Sequence, residues 1–199
     1  MGFTMPKAAR QIVPNMPHHL IQRGNRRQDV FFGADDYRMY LTLMREQAES
    51  GDFVLHAYCL MQNHVHLIVT PTHAQGLRKI GEAHRRYTRY INKKQGWRGY
   101  LWQGRFSSYP MDEAYAYEAV RYVELNPVVA GICKHPAEYR WSSARQRIGK
   151  DSVGDFKVTA LPIGQLAVED WERYWMEALG RRQMLEEFLS QGEGTAGAQ

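Results

Sequence analysis

The stretch that decides the fold of this chain is Tyr58-Cys59-Leu60-Met61-Gln62-Asn63-His64-Val65-His66-Leu67-Ile68-Val69. Its second half alternates, because His64 and His66 fall on one side of an extended chain and Val65 and Leu67 fall on the other. The two imidazoles are therefore predicted to lie side by side on one sheet face, roughly 7 Å apart along the strand. Imidazole is a common ligand of divalent cations, so the pair is a candidate metal site. Two half-buried histidines with ordinary hydrogen bonds are the alternative.

A second set of candidates lies on a helix predicted over residues 112–126. Asp112 suits the N-cap, and the helix is expected to end at Asn126 because Pro127 pushes the preceding residue out of the α region. One stripe of this helix contains Tyr115, Ala119, Tyr122 and Asn126. If this face packs on the sheet with the two histidines, the Asn126 amide oxygen supplies a third metal ligand and the Tyr122 phenol faces the metal. A tyrosine stripe that only fills the core is the alternative.

The rest of this helix has two further faces. Its adjoining apolar stripe, predicted to be buried, consists of Ala116, Val120 and Val123. The residues predicted to face away from the protein are Tyr117, Arg121 and Glu124.

Taken together, the motifs of this chain resemble those of the single-tyrosine transposases of the histidine–hydrophobic–histidine (HUH) superfamily. The matching segments are Gln62-Asn63-His64-Val65-His66, Leu101-Trp102-Gln103-Gly104-Arg105-Phe106 and Tyr122-Val123-Glu124-Leu125-Asn126-Pro127-Val128. The closer resemblance is to the REP-associated tyrosine transposases, which are domesticated relatives of the mobile-element enzymes. It extends from about Pro17 to about Ser143. Asn126 stands where the mobile-element enzymes typically have glutamine, which favours the REP-associated branch.

The resemblance implies an enzyme that cleaves and rejoins single-stranded DNA, with hairpin-forming repetitive sequences as its targets. Tyr122 is then the nucleophile, forming a 5′-phosphotyrosine and releasing a free 3′-hydroxyl, while His64, His66 and Asn126 hold the metal. The family implies Mg²⁺ or Mn²⁺, and the ligand chemistry of two imidazoles leaves Zn²⁺ open. No residue identifies itself as the base that deprotonates Tyr122. A DNA-binding protein that does not cut, and a metal-dependent nuclease that uses water, are the two alternatives.

Three groups of basic residues are predicted to bind the DNA. The turn after the first strand contains Arg23, Arg26 and Arg27. A helix predicted over residues 75–94 contains Arg78, Lys79, Arg85, Arg86 and Arg89, opposed by the single acid Glu82. Arg105 lies in a segment that also contains Trp97, Tyr100 and Trp102. Arginines beside aromatic residues are typical of single-strand binding, where phosphates are paired and bases stack. A solvated loop and a solvated helix face are the alternatives.

The predicted order of elements is strand, helix, strand, strand, helix, strand. This order indicates an α+β fold of the ferredoxin-like split βαβ type, with the His-x-His motif on a central antiparallel sheet, helices on one face and a C-terminal helical extension. Strands are expected at residues 18–23, 53–59, 65–70 and 100–111. The expected domain plan is an arm at 1–16, the transposase domain at 17–148, a linker at 149–164, a helical extension at 165–191 and a disordered tail at 192–199.

Composition limits the classes of protein that this chain can represent. The 199 residues include 44% hydrophobic side chains, enough for one folded domain. A net charge of +5 permits a polyanionic partner. The chain has only two cysteines, so we expect no disulfide framework and favour a reducing cytoplasm. The sequence contains no apolar stretch of about 18 residues, so we expect no membrane span. We expect single-stranded or hairpin DNA as the partner, and a monomer with its site in cis rather than the homodimer of the mobile-element relatives.

Overall fold

The computed structural model describes residues 12–150, 156–161 and 170–182. The predicted disordered tail, most of the predicted arm, and parts of the predicted linker and C-terminal extension lie outside these residues. The domain boundaries stay predictions.

The fold is built on a four-stranded antiparallel sheet. Its strands are β1 (His18–Arg23), β2 (Phe53–Met61), β3 (His64–Pro71) and β4 (Ser107–Pro110), and they lie in the order β2-β3-β1-β4. The helices are α1 (Ala34–Ala48), α2 (Arg78–Gln95), α3 (Glu113–Val129) and the short α4 (Ala144–Arg147), with 3-10 turns at Asn25–Arg27 and Pro136–Glu138. The strand order and the crossovers through α1 and α2 confirm the predicted α+β, ferredoxin-like plan.

The hairpin of β2 and β3 presents the two histidines. The strands are joined by the two residues Gln62 and Asn63, and Met61 pairs with His64. A register shift between Leu55 and Ala57 changes the side-chain alternation along β2. In β3 the alternation is regular, so His64 and His66 share one face of a central strand, as predicted.

The sheet has a hydrophobic core on each face. On one face Leu67 of β3 belongs to the same buried cluster as Tyr40 of α1 and Tyr87 of α2. On the other face Ile68 of β3 clusters with Val120 of α3. The two crossover helices α1 and α2 lie on one face, as predicted, whereas α3, which follows β4, lies on the other. The physical reason is that α1 and α2 already cover the first face, so the apolar stripe of α3 can be buried only on the second.

Helix α3 continues three residues beyond its predicted end. Pro127 lies inside it, and as an imino acid it cannot donate a hydrogen bond to the carbonyl of Val123. The side-chain amide of Asn126 instead donates to the carbonyl of Tyr122 at 2.8 Å and lies 3.5 Å from that of Val123. The predicted end at Asn126 is therefore wrong, because the helix accommodates Pro127, with the Asn126 amide near the one carbonyl that lacks a backbone donor. Asp112 caps the start as predicted, accepting from the Tyr115 amide at 2.8 Å.

The orientation predicted for Glu124 is also wrong. Its side chain is fully buried and accepts hydrogen bonds from Ser143 Oγ at 2.7 Å and from Arg147 Nε at 3.1 Å. The segment after α3 folds back to β2, where Ser142 bridges to Cys59, and so covers the side of α3 that was expected to be exposed.

The segment between α2 and β4 contains less strand than predicted. Of residues 100–111, β4 includes only Ser107–Pro110, and the preceding residues form a loop in which Trp102 makes an isolated bridge to Gly24. A Cβ atom at position 24 would lie 2.2 Å from the carbonyl oxygen of Gln28. Only glycine therefore permits the backbones at positions 24 and 28 to approach so closely.

Two further segments pack on this framework. In residues 156–161, Thr159 donates from its backbone amide to the carbonyl of Leu55 at 2.9 Å, which attaches the segment to β2. Residues 170–182 are helical, and Trp171 and Trp175 are buried in the cluster beside α3. In the part of the chain that the structure describes, no helix is both long and apolar enough to cross a membrane.

Candidate active site and nucleic-acid interface

Helix α3 places Tyr122 over the histidines of β3 within one chain. The ring centroid of Tyr122 lies 5.9 Å from that of His66 and 6.0 Å from that of His19. The phenol remains 57% exposed. The buried stripe of α3 fixes this arrangement, because Val120 and Val123 pack against the sheet and leave the neighbouring stripe at its edge. The side chain that the sequence singled out is therefore both close to the imidazoles and accessible to a large substrate.

The two predicted imidazoles are neighbours, and each uses Nδ1 in a hydrogen bond. The ring centroids of His64 and His66 are 4.9 Å apart. His64 Nδ1 lies 2.6 Å from Asn63 Oδ1, and His66 Nδ1 lies 2.9 Å from His19 Nε2. Because the amide oxygen of Asn63 only accepts, His64 donates from Nδ1 and presents the lone pair of Nε2. Such outer partners orient metal-binding histidines.

All three imidazoles of this site have lowered pKa values. Burial lowers the pKa of His66 to about 3, with smaller contributions from His19, His64 and Arg23. Burial also lowers the pKa of His64 to about 4, helped by the positive charge of Arg23, and that of His19 to about 4. The three rings are therefore neutral near pH 7, which is the form that binds metal ions.

His19 is the member of this site that sequence reasoning missed. It lies on β1, where Ile21 pairs with His66 and His19 pairs with Ile68, so its side chain is a diagonal neighbour of His66 on the same face. The signal available was a histidine in a predicted strand. Its partner is 47 residues away, and only the pairing of β1 with β3 brings the two together.

Asn126 lies beside Tyr122 in a cavity of about 610 Å³, whose lining also includes His19 and Tyr115. The Asn126 amide nitrogen is turned toward the backbone carbonyls of α3, and no described residue donates a hydrogen bond to its Oδ1. The cavity is closed on one side by Leu179 and its neighbours in the helical residues 170–182. All four residues of the predicted α3 stripe therefore line one cavity, namely Tyr115, Ala119, Tyr122 and Asn126.

These residues fit a divalent cation whose coordination sphere is completed by the substrate. In the described ranges, no group of three or more His, Cys, Asp or Glu side chains is placed to hold a metal. A cation at this site would therefore depend on the Nε2 atoms of His64 and His66, with the Asn126 oxygen, phosphate or water in the remaining positions. An open coordination sphere of this kind is what phosphoryl transfer requires.

The residues predicted to bind DNA divide between the two faces of the sheet. Arg23 pairs with His64 across β1 and β3 and lies on the site face, while Arg26 and Arg27 are exposed in the adjacent 3-10 turn. The arginines that line a second cavity on the α2 side are Arg78, Arg85, Arg89 and Arg105.

Several of the basic side chains of α2 have carboxylate partners. Lys79 lies 3.7 Å from Asp52, and Arg86 lies 2.6 Å from Glu46. Arg85 and Arg89 share Glu82. Of the four arginines that line the second cavity, Arg78 and Arg105 form no ion pair within the described residues, so their charges are the least compensated of the four.

A ferredoxin-like sheet that places paired histidines under an exposed tyrosine defines the class of single-tyrosine transposases, the class that the sequence motifs resemble. The family described as transposase, IS200-like, matches residues 12–126, more than half of the chain, and the protein belongs to this family.

The solved structures that resemble this chain include the following two. One is a REP-associated tyrosine transposase bound to a REP hairpin, with a TM-score of 0.58 and 19% identity over 81% of this chain and 98% of the other. At this identity the likeness bears on the fold. A putative transposase from Deinococcus radiodurans R1 is 26% identical over 59% of this chain and 95% of its own, with a TM-score of 0.38. No curated protein matches this chain.

Proposed function

We propose that this protein is a metal-dependent transposase that cleaves and rejoins single-stranded DNA through a 5′-phosphotyrosine on Tyr122. The observation that supports it best is the position of Tyr122, whose exposed ring lies 5.9 Å from the buried ring of His66. A tyrosine that served only packing would be buried, and a pure binding protein would not need neutral imidazoles beside a phenol.

In this proposal Tyr122 Oη attacks a phosphorus atom of the DNA backbone. The bond between phosphorus and O3′ breaks, the phenolic proton is released, and the O3′ atom takes up a proton to become a free 3′-hydroxyl. The new P–Oη bond retains the phosphate on the enzyme, so a 3′-hydroxyl can later reverse the step, whereas attack by water would not be reversible. When bound, a divalent cation neutralises charge on a non-bridging phosphate oxygen.

The surrounding residues have distinct tasks. His64 and His66 hold the cation through Nε2, with Asn126 Oδ1 as the third ligand. His19 holds Nδ1 of His66 at 2.9 Å and so orients its ring. Arg23 lies opposite His64 in the register of β1 and β3, and in this proposal it binds the phosphate beside the cation. We propose Mg²⁺ or Mn²⁺ as the cation, because the open positions are filled by oxygen, and Zn²⁺ as the alternative.

We propose single strands and hairpins of repetitive DNA as the substrate, and a monomer as the working unit. The arginines of the second cavity, which lie beside the exposed Tyr100, support a single-stranded partner. The structural relative bound to a REP hairpin supports the extension to hairpins. The contact of Tyr122 with His66 of the same chain supports a site that one chain completes.

The test is a cleavage assay with hairpin oligonucleotides labelled at either end and separated on denaturing gels. With Mg²⁺ or Mn²⁺ present, the 3′-labelled fragment should migrate with the protein, and the 5′-labelled fragment should be shorter and free, with a 3′-hydroxyl. Tyr122→Phe removes one oxygen at nearly constant volume, so folding and DNA binding should persist while both products disappear.

Tyr115→Phe is the matched control, because Tyr115 lines the same cavity on the same helix. It should cleave like the unchanged protein. An adduct that survives Tyr122→Phe and is lost with Tyr115→Phe would move the nucleophile to Tyr115. Cleavage without any adduct would indicate a nuclease that uses water. Binding without cleavage would indicate a DNA-binding protein that does not cut.

A further inference from the structure

A network of buried polar side chains lies behind α3, on the side away from Tyr122. At its centre is the fully buried carboxylate of Glu124, which is paired with Arg147, a side chain that is only 10% exposed. Successive residues of an α-helix are about 100° apart, so Glu124 points about 200° away from both Tyr122 and Asn126. Neither Glu124 nor Arg147 lines the cavity beside Tyr122, so the network contacts α3 from behind the candidate active site.

The network attaches α3 to the irregular part of β2. Arg147 donates from Nε to Glu124 at 3.1 Å and from a terminal nitrogen to the backbone carbonyl of His56. His56 is the extra residue at the register shift of β2. Ser143 donates from Oγ to Glu124 at 2.7 Å and accepts from the backbone amide of Tyr58 at 3.0 Å. Because each hydrogen bond has a preferred length and angle, the network restricts how α3 can rotate relative to β2.

The attachment point on β2 lies next to the strand that carries the histidines. Tyr58 is followed by Cys59, which pairs with His66 across β2 and β3. The guanidinium of Arg147 is covered by Trp171, whose ring centroid lies 4.7 Å from Cζ, so the helical residues 170–182 shield the ion pair on that side. A short series of directional contacts therefore connects the strand of His66 with the helix of Tyr122.

Stability alone does not account for this network. A buried ion pair recovers little of its desolvation cost, and apolar side chains of similar volume in its place are often neutral or stabilising. Glu124 Oε2 is buried and accepts no hydrogen bond within the described residues, which adds to that cost. The apolar contacts of α3 come from small side chains such as Ala116, Val120 and Val123, and apolar contacts have no preferred direction. What the network adds to them is a fixed orientation of the helix.

We propose that Glu124 is a positioning residue, which acts through Arg147 and Ser143 to fix the rotation of α3 and so holds Tyr122 over the imidazoles. This role rests on the proposed function of Tyr122 as the nucleophile and adds the residue that sets its geometry. Because Tyr122 is 57% exposed, the backbone of α3 rather than surrounding side chains determines where its ring lies. A displacement of about 1 Å at a reacting group can lower the rate about 10²-fold.

The first experiment compares the loss of two buried carboxylates. Asp36 is the matched control for Glu124, because it is also fully buried and paired with a basic residue, Lys94, but lies in α1 on the other face of the sheet. Thermal melts should show that Glu124→Ala and Asp36→Ala both lower stability. At saturating DNA and a temperature at which both are folded, only Glu124→Ala should slow single-turnover cleavage, by about 10²-fold, with DNA affinity within about twofold. Equal cleavage rates for the two variants would overturn the proposal.

The second experiment separates orientation from stability. Glu124→Gln keeps an acceptor for Ser143 and Arg147, so it should recover most of the rate that Glu124→Ala loses. Glu124→Leu combined with Arg147→Leu replaces the ion pair by apolar side chains, so it should be at least as stable as Glu124→Ala and still cleave slowly. A folded double variant that cleaves as fast as the unchanged protein would overturn the proposal. The double variant also decides the question if Glu124→Ala fails to fold.

The third experiment measures the position of the tyrosine ring without DNA or metal. A fluorotyrosine at position 122 senses the ring currents of His19 and His66, whose ring centroids lie 6.0 and 5.9 Å from that of Tyr122. Its fluorine NMR resonance should shift or broaden in the folded Glu124 variants that lack the acceptor and stay unchanged in Asp36→Ala. An unchanged resonance in those Glu124 variants would overturn the proposal. Failure of the proposed function is distinguishable, because the unchanged protein would then form no covalent adduct with DNA.

Discussion

The two faces of the sheet differ in the kind of charge that they present. The α3 face carries the imidazoles of His19, His64 and His66, which are neutral near pH 7 because burial lowers the pKa of each. The α2 face carries exposed, positively charged arginines. One strand contributes side chains to both faces, since Arg23 of β1 lies beside the histidines and Gln22 of β1 lines the second cavity.

This difference supports the division of tasks that we propose for the two faces. Metal-assisted chemistry needs nitrogen lone pairs held in place, and burial provides them by keeping the rings neutral. Binding of a polyanion needs permanent charge near solvent, which the exposed arginines provide. We therefore expect mutations and pH on the α3 face to alter cleavage, and mutations and salt on the α2 face to alter affinity.

The largest expected effect is the loss of cleavage in His66→Ala or His64→Ala. Removing one of two imidazole ligands should lower the rate by about 10³-fold or more, since a bound cation is worth several kcal/mol at the transition state. DNA binding should stay within about twofold, because phosphate contacts come mainly from Arg and Lys. Cleavage kinetics and fluorescence anisotropy measure the two. His73→Ala, at an exposed histidine paired with Asp52, should leave both unchanged.

The next effect concerns pH. The pKa of His66 falls from 6.5 to about 3 on folding, so below pH 6.5 the unfolded chain binds a proton that the folded chain does not. The contribution of His66 to the free energy of unfolding is therefore fully present above pH 6.5 and is lost as pH falls toward 3. Between pH 6.5 and 4 the free energy of unfolding should drop by about 3 kcal/mol more in the unchanged protein than in His66→Gln. Urea titrations with a chelator present measure this difference.

The same titrations provide a control from the other face. Arg78→Ala together with Arg105→Ala should leave the pH dependence of stability as it is. If His66→Gln and the unchanged protein lose stability in parallel, the buried histidine is not the source of the pH effect.

A smaller effect is expected for the salt dependence of binding. Arg78→Ala with Arg105→Ala should reduce the slope of log affinity against log salt by about 1.4, or about 0.7 for each lost phosphate contact. Lys79→Ala with Arg86→Ala should reduce it less, because these two side chains already have carboxylate partners. Anisotropy titrations across a salt series compare the pairs, and equal slopes for all three proteins would contradict the role of the α2 face. Cleavage at saturating DNA should be unaffected.

The smallest effect is expected for Asn126→Ala. Loss of a neutral oxygen ligand should lower cleavage about fivefold at limiting metal and little at saturating metal, since an amide is the weakest ligand of the three. The same change removes the donor to the Tyr122 carbonyl and should lower stability by about 1 kcal/mol. Asn126→Asp keeps an oxygen ligand and should cleave better than Asn126→Ala. Full activity of Asn126→Ala at limiting metal would leave Asn126 as a helix cap alone.

Much of the site could be predicted because its patterns are local. Strand alternation places His64 and His66 on one face, and helical periodicity puts Tyr122 one turn from Asn126. These relations depend only on residues that are close in the sequence. The order of the elements was also predicted from local patterns, and the structure confirms it.

The sequence by itself determined which residues share a strand face or a helix stripe, and the tertiary structure decided what those faces meet. His19 joins the site only because β1 pairs with β3, and Gln22 lines a cavity only because α2 and the loop before β4 close around it. Glu124 is buried because Arg147 and Ser143 return to it from beyond the helix. Each of these contacts joins residues that are distant in the chain, so no local period encodes it, and burial against a particular neighbour fixes it.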